Sequence, residues 1–118
     1  MKYLCLIYSE EKKLDAMPKA ERESLMHQFF EYTDSIQKSG HYLGGEALEP
    51  VQTARTVRKR NGKLVATDGP FAETKEQLGG FYLIDAGDFD EAVEVASRIP
   101  SARFGSIEVR AIRVFDRK

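Results

Sequence analysis

The chain opens with Lys2-Tyr3-Leu4-Cys5-Leu6-Ile7-Tyr8, a stretch that is apolar on both alternating faces of a β-strand. Such a strand needs cover on both sides of its sheet. In a chain of 118 residues, helices can cover one face, and a second copy of the same sheet is the simplest cover for the other. The stretch therefore predicts a sheet with helices on one side and a homodimer contact on the other.

The composition is that of one soluble globular domain spanning residues 1–118. Hydrophobic residues make up 42% and charged residues 31% of the chain, and 18 basic against 19 acidic residues give a formal net charge of -1. This balance argues against a nucleic-acid or anionic-membrane partner. The apolar run from Tyr3 to Tyr8 is far shorter than the roughly 20 residues that span a bilayer, and it lacks the flanks of a signal peptide. We therefore expect a cytoplasmic protein.

The sequence contains no motif for a metal or a cofactor. Its single cysteine, Cys5, cannot form an internal disulfide and has no neighbouring cysteines at metal-binding spacing. We expect it to be a small apolar core residue. A Gly-rich phosphate loop and a serine or cysteine nucleophile motif are also absent. We therefore expect no metal and no cofactor.

Two segments carry helix signals. The first runs from Pro18 to Ser39 and is followed by Gly40, as prolines often open helices and glycines often end them. Residues 9–17 before it are polar without a clear period and are expected to form a loop. The second helix opens with the capping-box pattern Asp88-Phe89-Asp90-Glu91 and is stopped by Pro100. The apolar stripe of the first helix has i, i+3, i+4, i+7 spacing and comprises Leu25, Met26, Phe29, Phe30, Tyr32 and Ile36.

Five further segments have strand patterns. Asn61-Gly62 stands between the second and the third of them and is typical of a two-residue type I′ hairpin turn. This turn fixes the register and places Arg55 opposite Asp68. Gly44-Gly45 in the first segment marks a bulge or a close backbone approach. The five segments are residues 41–48, 53–60, 63–68, 80–86 and 106–115.

The order of these elements predicts the fold class. When the hairpin is treated as an insertion, the order is β-α-β-β-α-β, the α+β arrangement called ferredoxin-like. Its two helices can cover only one face of the sheet. This agrees with the need of the first strand for a second sheet on its other side.

The candidate functional loop follows the hairpin and reads Asp68-Gly69-Pro70-Phe71-Ala72-Glu73-Thr74-Lys75-Glu76-Gln77-Leu78-Gly79-Gly80. Asp-Gly-Pro cannot continue a strand or a helix, because glycine favours angles closed to other residues and proline fixes φ and lacks a donor. An aromatic residue, an acid-rich run and a Gly-Gly pair follow the bend. A loop that only connects strands needs none of these features.

The run from Asp68 to Ile84, Asp-Gly-Pro-Phe-Ala-Glu-Thr-Lys-Glu-Gln-Leu-Gly-Gly-Phe-Tyr-Leu-Ile, resembles the signature of the DGPF group of the YCII-related family. The likeness extends over nearly the whole chain and includes Gly44 to Leu48 and Gly105 to Arg110. It implies a ferredoxin-like protomer, a dimeric α/β barrel and a bacterial source in which such genes often neighbour sigma factors of the extracytoplasmic-function type. Relatives with this barrel include small-molecule isomerases, dehalogenating lyases and monooxygenases.

The wider YCII-related family is associated with a His-Asp pair in its cleft. Asp68 can supply the acid of such a pair, whereas neither His27 nor His41 aligns with the histidine. For Asp68, the functional interpretation is a general base or a ligand-orienting carboxylate assisted by Arg55. The alternative is a turn residue that caps the amides after Gly69.

The candidate ligand-binding residues are Glu46, Arg55, Phe71, Glu73, Lys75 and Tyr82. Glu46 lies within an apolar stretch, where a buried acid without a partner costs several kcal/mol; it binds a ligand or accepts from amides of the functional loop. Glu73 and Lys75 bind or protonate a ligand, or else form a structural ion pair. Phe71 and Tyr82 line an aromatic cleft, or else belong to the core.

The basic cluster on the hairpin has a separate interpretation. It lies at a hairpin tip with no interleaved aromatic residues, which favours a solvated edge that discourages strand pairing over a nucleic-acid site. The cluster comprises Arg55, Arg58, Lys59, Arg60 and Lys63.

Two classes of function follow from the sequence. The first is a small cofactor-independent isomerase or lyase that moves a proton on a carbonyl- or lactone-bearing metabolite. In it, Asp68 is the base, and Glu46, Glu73 and Lys75 position the substrate. It predicts one pocket in which these side chains converge. The second is a non-catalytic binding or regulatory module, such as a partner of a sigma factor, which predicts an exposed apolar patch beyond the dimer contact.

Overall fold

The computed structural model describes residues 1–116. These residues form six strands, three helices and two short 3₁₀ turns. The strands are β1 (Lys2–Ser9), β2 (Tyr42–Ala47), β3 (Arg55–Arg60), β4 (Lys63–Asp68), β5 (Gln77–Asp85) and β6 (Ser106–Ala111). The helices are α1 (Glu11–Asp15), α2 (Lys19–Lys38) and α3 (Phe89–Ser97), and the 3₁₀ turns are Val51–Thr53 and Pro100–Arg103.

Four strands form one antiparallel sheet in the order β2-β5-β1-β6. Without the inserted β3–β4 hairpin, this is the strand order of the ferredoxin-like fold, so the predicted fold class is confirmed. The doubly apolar first strand, β1, takes an inner position between β5 and β6.

The core lies between this sheet and helices α2 and α3. Tyr3, Cys5 and Ile7 of β1 are buried against Ile36 of α2 and Val95 of α3 within one cluster. Cys5 is fully buried, which confirms its prediction as a core residue. Burial also raises the pKa of the Cys5 thiol to about 11.

Helices α2 and α3 both pack on the core side of the sheet and not on its other face. The register pairs Leu4 with Leu83 and Leu6 with Phe81, so these side chains alternate with the core residues and lie on the opposite side. We call this surface, formed by Leu4, Leu6, Tyr8, Phe81 and Leu83, the open face. All five residues are only partly buried.

The hairpin, residues 55–68, forms a separate two-stranded sheet that we call the arm. Asn61 and Gly62 have φ angles of 52° and 76°, the angles of a type I′ turn. All six cross-strand pairs are in the predicted register, including Arg55 opposite Asp68. The chain is correspondingly wide and thin, with extents of 51 × 48 × 18 Å.

Three sequence predictions of secondary structure were wrong. Residues 77–79 were expected in the functional loop, but they belong to β5, which begins at Gln77 and pairs there with Ser9 of β1. Residues 9–17 were expected to form a loop, but Glu11–Asp15 form α1, a single turn too short to show an apolar period. The first residue of α1 is held by a long-range contact, since the Glu11 carboxylate accepts a hydrogen bond from the Val51 amide at 3.1 Å. The last strand was expected to reach Phe115 but ends at Ala111, because Ala111 pairs with Tyr3 near the start of β1 and the partner strand ends there.

Helix α3 begins as predicted. The Asp88 carboxylate accepts a hydrogen bond from the Glu91 amide at 2.8 Å. The Glu91 side chain reaches back to the amide of Gly87 at 2.9 Å, one residue before the position that an ideal capping box uses. The N-terminus of α3 is therefore fixed by two side-chain bonds to backbone amides.

Candidate functional site

A cleft of about 840 Å³ opens between α2 and the β2–β5 edge of the sheet. This volume is within the range of roughly 300–1,000 Å³ that small-molecule sites occupy. Most of its wall is apolar, and five aromatic side chains from α2, the sheet and the turn before β6 contribute to it. These five are Phe29, Phe30, Tyr42, Tyr82 and Phe104.

A chain of hydroxyl groups crosses the inner wall of the cleft. The Thr33 hydroxyl donates to the Phe29 carbonyl oxygen at 2.9 Å, and Thr33 Oγ1 lies 2.8 Å from Tyr82 Oη. Because Thr33 has only one proton to donate, the Tyr82 hydroxyl is the donor between the two. Burial raises the pKa of Tyr82 above its ordinary value. Tyr82 is therefore a neutral phenol at pH 7, with its oxygen free to accept a further hydrogen bond.

Glycines allow the strands of this wall to approach closely. A Cβ at Gly45 would lie 2.8 Å from the Tyr82 ring and 2.9 Å from the Phe81 carbonyl oxygen, whereas a Cβ at Gly44 would meet nothing within 4 Å. The register of β2 against β5 also shifts between Tyr42 and Gly44. Both structural interpretations of Gly44-Gly45, a bulge and a close approach, are thus confirmed.

Ser101 is a buried polar residue of the cleft lining. It lies in the 3₁₀ turn after α3 and is 3% exposed. Its Oγ has no hydrogen-bond partner among the described residues. A buried hydroxyl without a partner is costly and calls for an explanation.

The charged residues of the cleft lie at its rim. Arg22 and Asp34 on α2 and Glu46 on β2 contribute to the lining, and all three are exposed. Glu46 pairs in register with Phe81, so its side chain is directed to the open-face side of the sheet. Arg22 and Asp34 can therefore interact with charged groups that remain partly solvated at the rim, whereas the Glu46 side chain is directed away from the cleft.

The structure does not bring the seven predicted site residues together in one chain. Glu46 and Tyr82 line the cleft, and the other five do not. The Asp68 side chain is 90% exposed and forms an ion pair with Arg55 at 3.4 Å. Phe71 is 78% exposed. Glu73 and Lys75 are also exposed.

The bend at Asp68-Gly69-Pro70 explains why the functional loop does not reach the cleft. Gly69 has a φ of 95° and its amide donates to the Ala54 carbonyl oxygen at 2.7 Å. Thr56 Oγ1 donates to the Gly69 carbonyl oxygen at 2.9 Å. These bonds tie the Asp-Gly-Pro bend to the base of the arm, and not to the cleft. The convergence expected of an isomerase or lyase is therefore absent from the single chain, and the site roles of these residues stay predictions.

The two histidines also lie outside the cleft lining. His41 Nδ1 is 2.7 Å from Ser39 Oγ and its Nε2 is 3.3 Å from Glu91 Oε2. This contact joins the start of β2 to the first turn of α3. His27 is exposed on α2. Among residues 1–116, no group of three or more His, Cys, Asp or Glu side chains could hold a metal ion.

Sequence reasoning missed Thr33 and Ser101. Thr33 follows Phe29 by four residues on the apolar side of α2, so its place in the stripe was a usable signal. Ser101 directly follows Ile99-Pro100, and nothing local distinguishes it from an ordinary turn serine.

Comparison with known proteins gives the family. The YCII-related domain matches residues 1–116. The chain belongs to the YCII-related family. It is 38% identical over 117 residues to the uncharacterized protein R00369 of Rhizobium meliloti (strain 1021), with 98% of this chain and 94% of that protein covered.

A solved structure shares the fold of this YCII-related protein. It is 5-chloro-2-hydroxyhydroquinone dehydrochlorinase (TftG) from Burkholderia phenoliruptrix AC1100 in complex with 2,5-dihydroxybenzoquinone. The TM-score is 0.56 at 14% sequence identity, and the match covers 96% of this chain and 94% of that one. Within residues 1–116, no helix is long and apolar enough to cross a membrane.

Proposed function

We propose that this YCII-related protein is a cytoplasmic homodimer that binds a small organic molecule in the cleft between α2 and the sheet. The observation that carries the proposal is a cleft of about 840 Å³ whose apolar wall contains a few placed hydroxyl groups. Such a combination is typical of small-molecule sites. The ligand-bound dehydrochlorinase with the same fold supports this class of function.

The homodimer rests on the open face. Its five large apolar side chains lie on two adjacent strands, β1 and β5, and neither α2 nor α3 covers them. Packing two such faces together would remove this apolar surface from water. The result would be the dimeric barrel that the family resemblance implies.

For the chemistry, we propose a cofactor-independent isomerase or lyase with Asp68 as the base. The dehydrochlorinase activity of the structural neighbour supports the lyase class. Asp68 lies outside the cleft lining of its own chain, so this role requires that the functional loop meet the ligand in the dimer or after a loop movement. Arg55, Phe71, Glu73 and Lys75 would then act on the ligand together with Asp68.

A second candidate is a non-catalytic binding or regulatory module, for example one linked to a sigma factor. The arm favours it, because Val57 is 65% and Leu64 is 68% exposed on one face of a two-stranded sheet. Two-stranded sheets are marginally stable alone, so these side chains are suited to a partner surface. Binding of a partner protein through the arm would favour this regulatory module over the isomerase or lyase.

A ligand screen by thermal shift tests the cleft. Ala47→Trp places a large side chain at the exposed rim of the cleft, and Leu48→Trp is its control, since the neighbouring Leu48 is exposed but not part of the lining. We expect a hit whose stabilising shift is lost in Ala47→Trp and kept in Leu48→Trp. Equal shifts in both variants would place the ligand elsewhere.

The same hit tests the base. Loss of the shift or of turnover in Asp68→Asn supports a role for Asp68 in the site, because this variant keeps the size of the side chain and removes its charge. An unchanged response would remove Asp68 from the site.

A further inference from the structure

The buried part of the cleft is lined by neutral residues. Five lining residues are buried: Ile7, Ser9, Gly80, Tyr82 and Ser101. The charged lining residues are all exposed at the rim. A charged group that entered the floor would lose its water without gaining a counter-ion, which costs several kcal/mol. The floor therefore selects a neutral group.

The shape of the wall favours a ring. Phe29 and Phe30 come from α2, Tyr42 and Tyr82 from the sheet, and Phe104 from the turn before β6. Tyr82 already makes edge-to-face contacts with Tyr32 and Tyr42, at centroid distances of 5.3 Å and 6.4 Å. Aromatic walls of this kind gain additional energy from a further aromatic ring beyond the area that it buries.

Several lining residues carry hydroxyl groups, and two of them, Ser101 and Tyr82, are candidates for a contact with the ligand. The Ser101 hydroxyl is buried and lacks a hydrogen-bond partner among residues 1–116, so its proton and its lone pairs are unused within the described part of the chain. Tyr82 Oη donates to Thr33 Oγ1 and keeps lone pairs that can accept a hydrogen bond from a ligand. Oxygen-bearing groups satisfy both hydroxyls without any charge.

From these observations we propose that the ligand is a neutral aromatic ring with a hydroxyl or carbonyl substituent, and that Ser101 is the binding residue for that oxygen. This inference rests on the proposed function of the cleft and specifies its substrate class. Ligands that would have to place a charge in the floor fall outside this class, because the floor has no counter-ion for it.

Three single-ring probes test the class: phenol, benzoate and benzylamine, which are neutral, anionic and cationic at pH 7. Dissociation constants are measured by NMR titration of the full-length protein. We expect phenol to bind at least about tenfold more tightly than either charged probe. The reason is that burying an unpaired charge costs more free energy than a tenfold difference in dissociation constant represents. Equal or tighter binding of benzoate or benzylamine at the cleft resonances overturns the class and leaves the proposed function intact.

Ser101→Ala tests the role of Ser101 as the residue that binds the ligand oxygen. Loss of one hydrogen bond corresponds to about a tenfold weaker affinity for phenol. The free variant is expected to be at least as stable as the wild type, because the substitution removes an unpaired buried hydroxyl. A serine that is merely structural would not give this combination.

Ser97→Ala is the matched control. Its hydroxyl donates to the Glu94 carbonyl oxygen at 2.6 Å on the exposed side of α3, and we expect an unchanged affinity for phenol. Unchanged affinity in Ser101→Ala overturns the role of Ser101. If none of the three probes moves the cleft resonances, the inference is overturned; if, in addition, no hit of the thermal-shift screen is sensitive to Ala47→Trp, the proposed function fails as well.

Discussion

The Tyr82 hydroxyl lies 2.8 Å from Thr33 Oγ1 and joins strand β5 to helix α2 at the inner wall of the cleft. Tyr82 is buried and Thr33 is partly buried, so their bond competes little with water. Such a bond contributes about 0.5–1.5 kcal/mol to stability. The same contact fixes the position of the Tyr82 oxygen for a ligand.

A double-mutant cycle measures this contact. Tyr82→Phe and Thr33→Val should each lower the free energy of unfolding by about 1 kcal/mol, and the double variant should lose less than the sum of the two. Urea denaturation at pH 7 gives the values. Strictly additive losses would show that the two hydroxyls do not interact.

The adjacent glycines of β2 should respond differently to the same substitution. Gly45→Ala would place a Cβ 2.8 Å from the Tyr82 ring, and overpacking of this kind costs about 1–3 kcal/mol. Gly44→Ala is the control, because a Cβ there meets nothing within 4 Å. Thermal unfolding of the two variants checks the difference. Equal stabilities would contradict the close approach of β2 to β5.

Cys5 should make the stability depend on pH in the alkaline range. Burial raises the pKa of its thiol from 9.0 to about 11, so between these values the unfolded chain releases a proton that the folded chain keeps. The stabilisation of the folded state by the protonated Cys5 thiol is therefore fully present below pH 9 and is lost as pH rises toward 11. Urea denaturation from pH 7.5 to 10.5 measures it.

Cys5→Ala is the reference for this titration. Its free energy of unfolding should fall less steeply above pH 9 than that of the wild type, because the other alkaline groups are common to both proteins. Parallel curves would mean that the Cys5 thiol is accessible to solvent.

The open face should control the oligomeric state. Leu6→Asp places a charge among the five apolar side chains of this face and is expected to give a monomer, because burial of an unpaired charge opposes association. Val93→Asp is the control, since Val93 is an exposed apolar residue on α3. Analytical ultracentrifugation gives the masses. A wild type that is already monomeric, or a Leu6→Asp variant that remains dimeric, would contradict the proposed dimer.

Features set by local chemistry were predictable from the sequence. The Asn61-Gly62 turn gave the correct register of the arm, because few other residue pairs adopt two consecutive positive φ angles. The Asp88 cap was predictable for a similar reason, as its bond to Glu91 spans only three residues. The strand order followed from the order of the elements and the short connections between them.

Features set by distant contacts were not predictable. The direction of the functional loop depends on the bond from the Gly69 amide to Ala54, which no sequence pattern reveals. For that reason Asp68 was expected at the cleft and lies outside it. Ser101 is exceptional only in its tertiary surroundings, which leave its hydroxyl buried and without a partner.

The location of the bound ligand tests the central claim most directly. Methyl groups of Ile7, Leu25 and Met26 line the cleft, and those of Val57 and Leu64 report on the arm. In a methyl NMR titration with a hit from the ligand screen, we predict concentration-dependent shifts for the cleft methyl groups and none for the arm. Shifts confined to the arm, with the cleft methyl groups unchanged, would contradict a small-molecule site between α2 and the sheet.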